Sequence, residues 1–311
     1  MEPDRSFQTS RGPSPYRLAL PDSMLACPIR PPTAAQWVPI ARFGTTCVRD
    51  VALGIRLDSR ERLPGMDSMT VARSLRGSIG MLAMAWLLDE STTAKAVATG
   101  LDAPGRGAYA VGRLGVLGDC PPDAVVSAAY FWEPNLMRTM VADGRALKTP
   151  AEGAAIYTRI CQEWGAERLA GLDGVERLGE ILTKVVDSAS PLGAPMFVGW
   201  RDMPRPSEPG PAQTFQLAQV MRELRFSRHC IAVQAAGLSP LEAILSGPAG
   251  DWNATMFGWP EPYPDTTGFA ETREEAEAAT DRLHAVDLDI LTDVERADLR
   301  DLAKAARTHH G

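Results

Sequence analysis

The sequence predicts a mainly α protein, a helical domain with winged helix-turn-helix-like elements and few short strands. Three observations carry this. Apolar residues recur at steps of three and four over long stretches, clean two-residue alternation is scarce, and capping-box patterns open several of the periodic runs. In residues 229–246, HCIAVQAAGLSPLEAILS, one helix, a Gly-marked turn and a second helix opened by Ser239, Pro240 and Glu242 trace a helix-turn-helix.

Residues 1–65 differ in composition from the rest of the chain. They hold nine prolines, nine arginines, six acids and no lysine, a net charge of +3 against −7 for the whole chain. Without sustained apolar periodicity they read as a disordered leader, or an extension from an upstream start. The domain proper is expected over 66–311, and a split near 201–211 would make it two winged-helix-like halves.

From Ser68, read as the cap, Val71, Leu75, Ile79, Leu82 and Trp86 form one helical face. The Gly- and Arg-containing stretch 100–119 predicts a short helix between turns. Pro121, Pro122 and Asp123 open a helix expected to run through Tyr130, Phe131 and Trp132 and to stop near Pro134. Four capping boxes come next, Thr149 with Glu152, Ser239 with Glu242, Thr272 with Glu275 and Thr292 with Glu295. They accompany helices predicted at 150–168, 174–188, 212–226 (continuing after a break over 229–236), 273–285 and 293–307. The last two are highly charged, and a wet outer face is expected for them. Met196–Val198 and Leu288–Leu291 are the strand candidates, with 285–291 as a small wing. Arg201–Pro211, with four prolines, forbids helix. Residues 247–267, rich in Pro, Gly and aromatics, are expected to pack down as a loop.

The net charge of −7 opposes general attraction to nucleic acid or to an anionic membrane. The second helix of the helix-turn-helix carries no Lys or Arg, so its fold argues one way and its chemistry the other. The compact cationic group is Arg222, Arg225 and Arg228. Cys27, Cys47, Cys120, Cys161 and Cys230 include no C-x-x-C pair, which fits a reduced, cytoplasmic setting, and the last three read as small buried hydrophobes. No apolar run reaches 18 residues.

No metal, cofactor or G-x-S-x-G motif is present, and the glycines near 105–118 do not follow a strand as a dinucleotide site requires. The residues left for chemistry are Arg113, Tyr130, Trp132, Arg225, His229 and Trp259. Arg113 can hold a carboxylate or phosphate bidentately, or clamp helix ends. His229 sits among arginines that lower its pKa, with Glu223 able to oppose them; it is either ligand-facing or bonded to a backbone carbonyl at a helix break. The aromatics can line a cavity or simply fill the core.

The blocks GRGAYAVGRLGVLGDCPPDAVVSAAYFWEP, SPLGAPMFVGW, VMRELRFSRHCIAV, AAGLSPLEAIL and FGW occur in order and together resemble an actinobacterial family of SalK-like proteins, over roughly residues 70–300. The resemblance implies a mostly helical fold with small winged elements and a setting near polyketide biosynthesis. It marks Arg113, Pro134, Pro191, Gly193, Pro195, Phe197, Arg225, His229, Gly237, Glu242 and Trp259 as matching positions. The chain departs from the family at Arg225–His229, where members carry an Arg-Gly-Asp-Gly-His type segment, and at GMLAMAW, where they tend to have a histidine. The departures imply that any chemistry those groups perform is lost or altered here.

Three functions are therefore expected in competition: a protein or enzyme of secondary metabolism that binds a small apolar molecule, a winged-helix transcriptional regulator, and a scaffold or homodimerisation module. Nucleic acid and membrane are disfavoured as partners.

Overall fold

A computed structural model describes residues 66–101 and 106–310; the expectations for residues 1–65, including Cys27 and Cys47, lie outside them. Among the described residues all regular structure is helical. The helices are α1 (Ser68–Gly77), α2 (Ile79–Leu88), α3 (Glu90–Ala98), α4 (Gly107–Arg113), α5 (Pro122–Ala129), α6 (Pro134–Leu147), α7 (Pro150–Arg168), α8 (Val175–Ser188), α9 (Pro195–Arg201), α10 (Pro211–Ala235), α11 (Pro240–Leu245), α12 (Gly250–Met256), α13 (Ala270–Leu288) and α14 (Asp293–His310), with a 3-10 turn at Gly115–Leu117. No helix among them is long and apolar enough to cross a membrane.

The two strand candidates are corrected. Met196–Val198 lies inside α9, where Pro195 supplies the fixed φ of a first helical turn. Residues 285–291 are the end of α13 and the turn after it, so no strand wing forms there. Three- or four-residue apolar runs carry no period of their own, and packing decides their state.

The helix read from Ser68 onward is two helices. Its expected inner face is buried from Val71 to Trp86, but the backbone turns at Ser78 (φ −105°, ψ −86°). Asp67, not Ser68, caps α1, through a bond from the Thr70 amide; the Ser68 hydroxyl donates to Asp289 instead. The Thr149, Ser239 and Thr292 boxes form. The Thr272 box does not, because α13 begins earlier, at Ala270, and places Thr272 within its first turn.

Helix α10 organises the fold. It runs unbroken through the break expected near 227–228 and packs against α2, α7, α8, α9 and α13. A helix touched on all sides buries polar as well as apolar residues, and α10 buries Thr214, Gln216, Gln219, Glu223, Ser227 and Arg228 alongside Phe215, Leu217 and Val220. The proline-rich 202–210 segment leads from α9 into α10, and the core continues across it.

Around α4 the packing depends on glycine. A methyl group at Gly112 would lie 2.1 Å from the Tyr157 ring, and one at Gly153 would lie 2.3 Å from the Val111 carbonyl oxygen. The glycine-rich sequence is therefore a close-packed seam between α4 and α7 rather than a phosphate cradle.

The helix-turn-helix is present as the end of α10, a turn and α11. Gly237 (φ 78°) occupies the left-handed position, with Gly237 N–H donating to the Gln234 carbonyl and Leu238 N–H to the Val233 carbonyl, the two bonds of a Schellman ending. Leu238 and Val233 are both buried in a small apolar cluster with Ala243 and Ala276.

Candidate functional site

Arg113, in the last turn of α4, is 2 % exposed and faces Glu223 of α10, which is fully buried. The pair is bidentate, with Nε to Oε1 at 3.0 Å and Nη2 to Oε2 at 2.6 Å. The carboxylate expected at Arg113 is thus the protein's own. Nη1 of Arg113 donates to the Tyr109 hydroxyl at 2.6 Å, and the Arg113 carbonyl accepts from Trp200 Nε1. On the other side, Gln219 Nε2 donates to Glu223 Oε1 at 2.6 Å while Gln219 Oε1 accepts from Trp86 Nε1 at 3.0 Å. One buried chain of bonds ties α2, α4, α9 and α10 together.

Glu223 has a third donor. Arg222, next to it on α10, gives Nη1 to Glu223 Oε1 at 3.0 Å and points Nη2 at the Met84 sulfur, 3.9 Å away. Two guanidiniums share one carboxylate. Burial holds the Arg222 pKa below the usual arginine value, against the pull of Glu223, and Arg113 adds to the lowering.

Arg222 and Met84 are common to two clefts. One, about 310 Å³, lies between α2, α3, α4 and α12 and is walled by Leu87, Val97, Tyr109, Trp132, Tyr157 and Phe257. Arg106 stands at its edge, its guanidinium 5.2 Å from the centre of the Trp132 ring and bonded to the Met256 carbonyl. The second, about 200 Å³, lies between α2 and α10 and is lined by Ile79, Met81, Met221, Arg225, Phe226 and His229, among others.

Of the sequence-selected residues, Trp132 thus lines the first cleft, Arg225 and His229 line the second, and Arg113 lies between them without lining either. Tyr130 and Trp259 line neither. The aromatic triplet is not helical as expected: α5 stops at Ala129, Tyr130 takes a positive φ (50°), and α6 starts at Pro134. Tyr130 and Phe131 meet edge to face at 4.8 Å, Phe131 lies 5.7 Å from the His229 ring, and Trp259 Nε1 fixes the turn by donating to the Phe131 carbonyl at 2.9 Å. The Tyr130 hydroxyl is buried and has no partner among the described residues.

His229 is not at a helix break and does not meet Glu223. Its Nδ1 lies 2.9 Å from the Thr280 hydroxyl oxygen, and that hydroxyl donates to the Ala276 carbonyl, so Nδ1 carries the proton. Nε2 is 4.0 Å from Glu277. Burial pushes the His229 pKa down to about 4, with Glu277 opposing the shift and arginines 273, 225 and 76 reinforcing it. Glu277 itself is held to about 2 by His229 and the arginines around it. A histidine of ordinary pKa in the unfolded chain takes up protons before the folded one does, so folding stability falls as pH drops from about 6.5 to about 4. His284, buried and also lowered, acts in the same direction. The expected loss from His229 alone is up to about 3 kcal/mol. Urea denaturation across this range should show it, and His229→Asn, which can still donate to Thr280, should flatten the slope.

The cationic triplet on α10 is turned inward. Arg222 shares Glu223, Arg225 pairs with Glu277 and Asp281 on α13, and Arg228 pairs bidentately with Asp287 while donating to the carbonyls of Ser190 and Leu192. The face of α13 expected to be wet is therefore partly a buried ion-pair seam. Helix α11 presents Leu241, Glu242 and Leu245 at its surface and no cation. The described cysteines are free; Cys161 is buried, Cys120 and Cys230 half-buried. No group of His, Cys, Asp and Glu suited to a metal ion occurs among the described residues.

Among the described residues, fold and site together define an all-helical protein with a helix-turn-helix whose first helix turns its arginines inward. The Helix-turn-helix family model matches residues 72–266, more than half of the chain, and the protein belongs to that family. No curated protein and no solved structure matches it.

Proposed function

We propose that the protein binds a small organic molecule in the cleft between α2, α3, α4 and α12. The observation that carries this reading is the cleft itself. An interior space of about 310 Å³ is walled by aromatic and aliphatic side chains and flanked by a few fixed polar groups, the composition of a small-molecule site. Its size suits a compact molecule of one or two rings rather than a nucleotide. The resemblance to SalK-like proteins of actinobacterial secondary metabolism supports the same reading, and the free cysteines suit a cytoplasmic setting.

The helix-turn-helix serves here as a structural element. Its second helix offers phosphate no cation, and Arg225 and Arg228 of the first are paired with acids of α13. Family membership keeps transcriptional regulation as the second reading, and Arg300, Lys304 and Arg307 along a surface groove of α14 favour it. Retention of an upstream duplex at low salt, with a steep salt dependence, would move the balance to it.

The cleft reading is tested by filling the cavity. Ala108→Phe puts a ring into the space, and a bound molecule detected by native mass spectrometry of the wild-type protein should be absent from the variant. At a hundredfold excess over its Kd the ligand should stabilise the wild-type fold by about 2.7 kcal/mol and leave the variant unmoved. A ligand bound equally by both proteins would place its site elsewhere.

A further inference from the structure

The charge around the cleft is not balanced. Buried Arg113 and Glu223 and half-buried Arg222 form a triad of two cations and one anion, and among the described residues no second carboxylate bonds to either guanidinium. Arg113 is fully occupied by Glu223 and Tyr109. Arg222 has five N–H donors and is given one oxygen, which it shares with Arg113 and Gln219, and a thioether sulfur, a weak acceptor. Among the described residues, neither cleft that Arg222 lines has an aspartate or glutamate in its wall.

The other polar groups of the larger cleft are donors as well. The Tyr109 oxygen accepts from Arg113, which leaves the phenolic proton to be given away. The Tyr157 side chain lines the same cleft. Burial pushes the Tyr157 hydroxyl well above the ordinary tyrosine pKa, so it stays protonated. Arg106 adds a further cation at the edge.

Resting on the cleft reading above, we infer that the ligand is an organic monoanion, a compact carboxylic acid with an aromatic or aliphatic body. Its carboxylate docks on Arg222 beside the hydroxyls of Tyr109 and Tyr157, and its body lies against Trp132, Phe257 and Leu87. Arg106 at the edge is engaged by the Met256 carbonyl and the Trp132 ring, so the surplus charge deep in the cleft is the one on Arg222, and it calls for one negative charge. A carboxylate supplies that number, whereas a phosphate monoester brings nearly two. The planar fork of arginine matches the two carboxylate oxygens. Burial makes the match selective, since a neutral molecule of the same shape leaves the guanidinium unanswered.

Isothermal titration of the full chain with 2-naphthoate and 2-naphthamide, two probes of nearly one shape that differ in charge, tests this directly. Naphthoate should bind about tenfold or more tightly than the amide, the worth of one charge-assisted hydrogen-bond pair. Arg222→Met should abolish the preference, and Arg222→Lys should restore part of it. If both probes bind wild type equally, or if naphthoate binds Arg222→Met as well as wild type, the anion assignment is overturned and the cleft reading survives. If neither probe binds although Ala108→Phe still excludes the molecule carried by the purified protein, the acid class is wrong and the cleft stands. If neither binds and that exclusion also fails, both readings fall. Should Arg222→Met not fold, the comparison of acid and amide on wild type decides alone.

Discussion

Glu223→Leu is expected to lower folding stability by about 3–5 kcal/mol, a fall in Tm of roughly 6–20 °C for a domain of this size. The carboxylate is fully buried and accepts from three side chains, so its removal strands Arg113 and Arg222 in the interior and orphans the Gln219 amide. The loss reflects uncompensated charge more than lost attraction. A second substitution separates the two. Arg113→Met in the Glu223→Leu background removes one stranded cation and should recover part of the loss, giving a coupling energy of the sign that marks direct contact. At Arg222 the sign is opposite. Arg222→Met takes away the surplus cation and spares Glu223 its third donor, so stability should hold or rise. A fall as large as that of Glu223→Leu would show that Arg222 is a structural counter-charge and not a waiting receptor. Urea unfolding of these variants reads all of this on one scale.

That asymmetry is also why the site is only half legible in the sequence. The helix faces can be read because burial repeats with the helical period. Val71 to Trp86, Ile156 to Trp164 and Phe215 to Leu224 all point inward as expected. Arg113 can be singled out because a lone arginine among glycines is conspicuous, and its bidentate partner can be foreseen in kind but not in identity. Glu223, 110 residues away on another helix, reads in the sequence as a neighbour of His229. Six residues along a helix is not a contact distance, and the i,i+4 spacing of Gln219 and Glu223 on one buried face is the available signal. The break expected in α10 falls in the polar run RELRFSRH. A run of arginines normally ends a buried face, but here each one meets an acid on α13 or the shared Glu223, so the helix continues. The turn at Tyr130 is hidden for another reason. Tyrosine is rarely found at positive φ, and nothing in PPDAVVSAAYFWEP marks that residue rather than Pro134 as the point where the helix stops.

The ion-pair seam between α10 and α13 carries the second large effect. Asp287→Ala should cost about 3 kcal/mol, close to the lower bound for breaking a buried pair, because Arg228 keeps two carbonyl acceptors when its carboxylate is gone. Asp287 is 8 % exposed and Arg228 7 %. The aspartate receives Arg228 Nε at 3.1 Å and Nη2 at 2.8 Å, and it also faces His284 Nδ1 at 3.4 Å. Removing it therefore leaves a buried guanidinium and a buried imidazole without their anion. Arg228→Met should be costly for a different reason, since it releases the Ser190–Leu192 turn that joins α8 to α9 as well as stranding Asp287. The double variant Arg228→Met, Asp287→Leu tests which loss dominates. If stranded charge is the main term, the double variant is more stable than either single one, as apolar replacement of a buried pair allows. If the anchoring of the turn is the main term, the double variant is no better than Arg228→Met alone, and hydrogen exchange should rise at Ala189–Ala194 in both. The first outcome would make the seam a device for helix register, with little net stability in it. The second would make Arg228 the bolt that sets α9, and through the Trp200 bond to the Arg113 carbonyl, the depth at which Arg113 meets Glu223 beside the cleft.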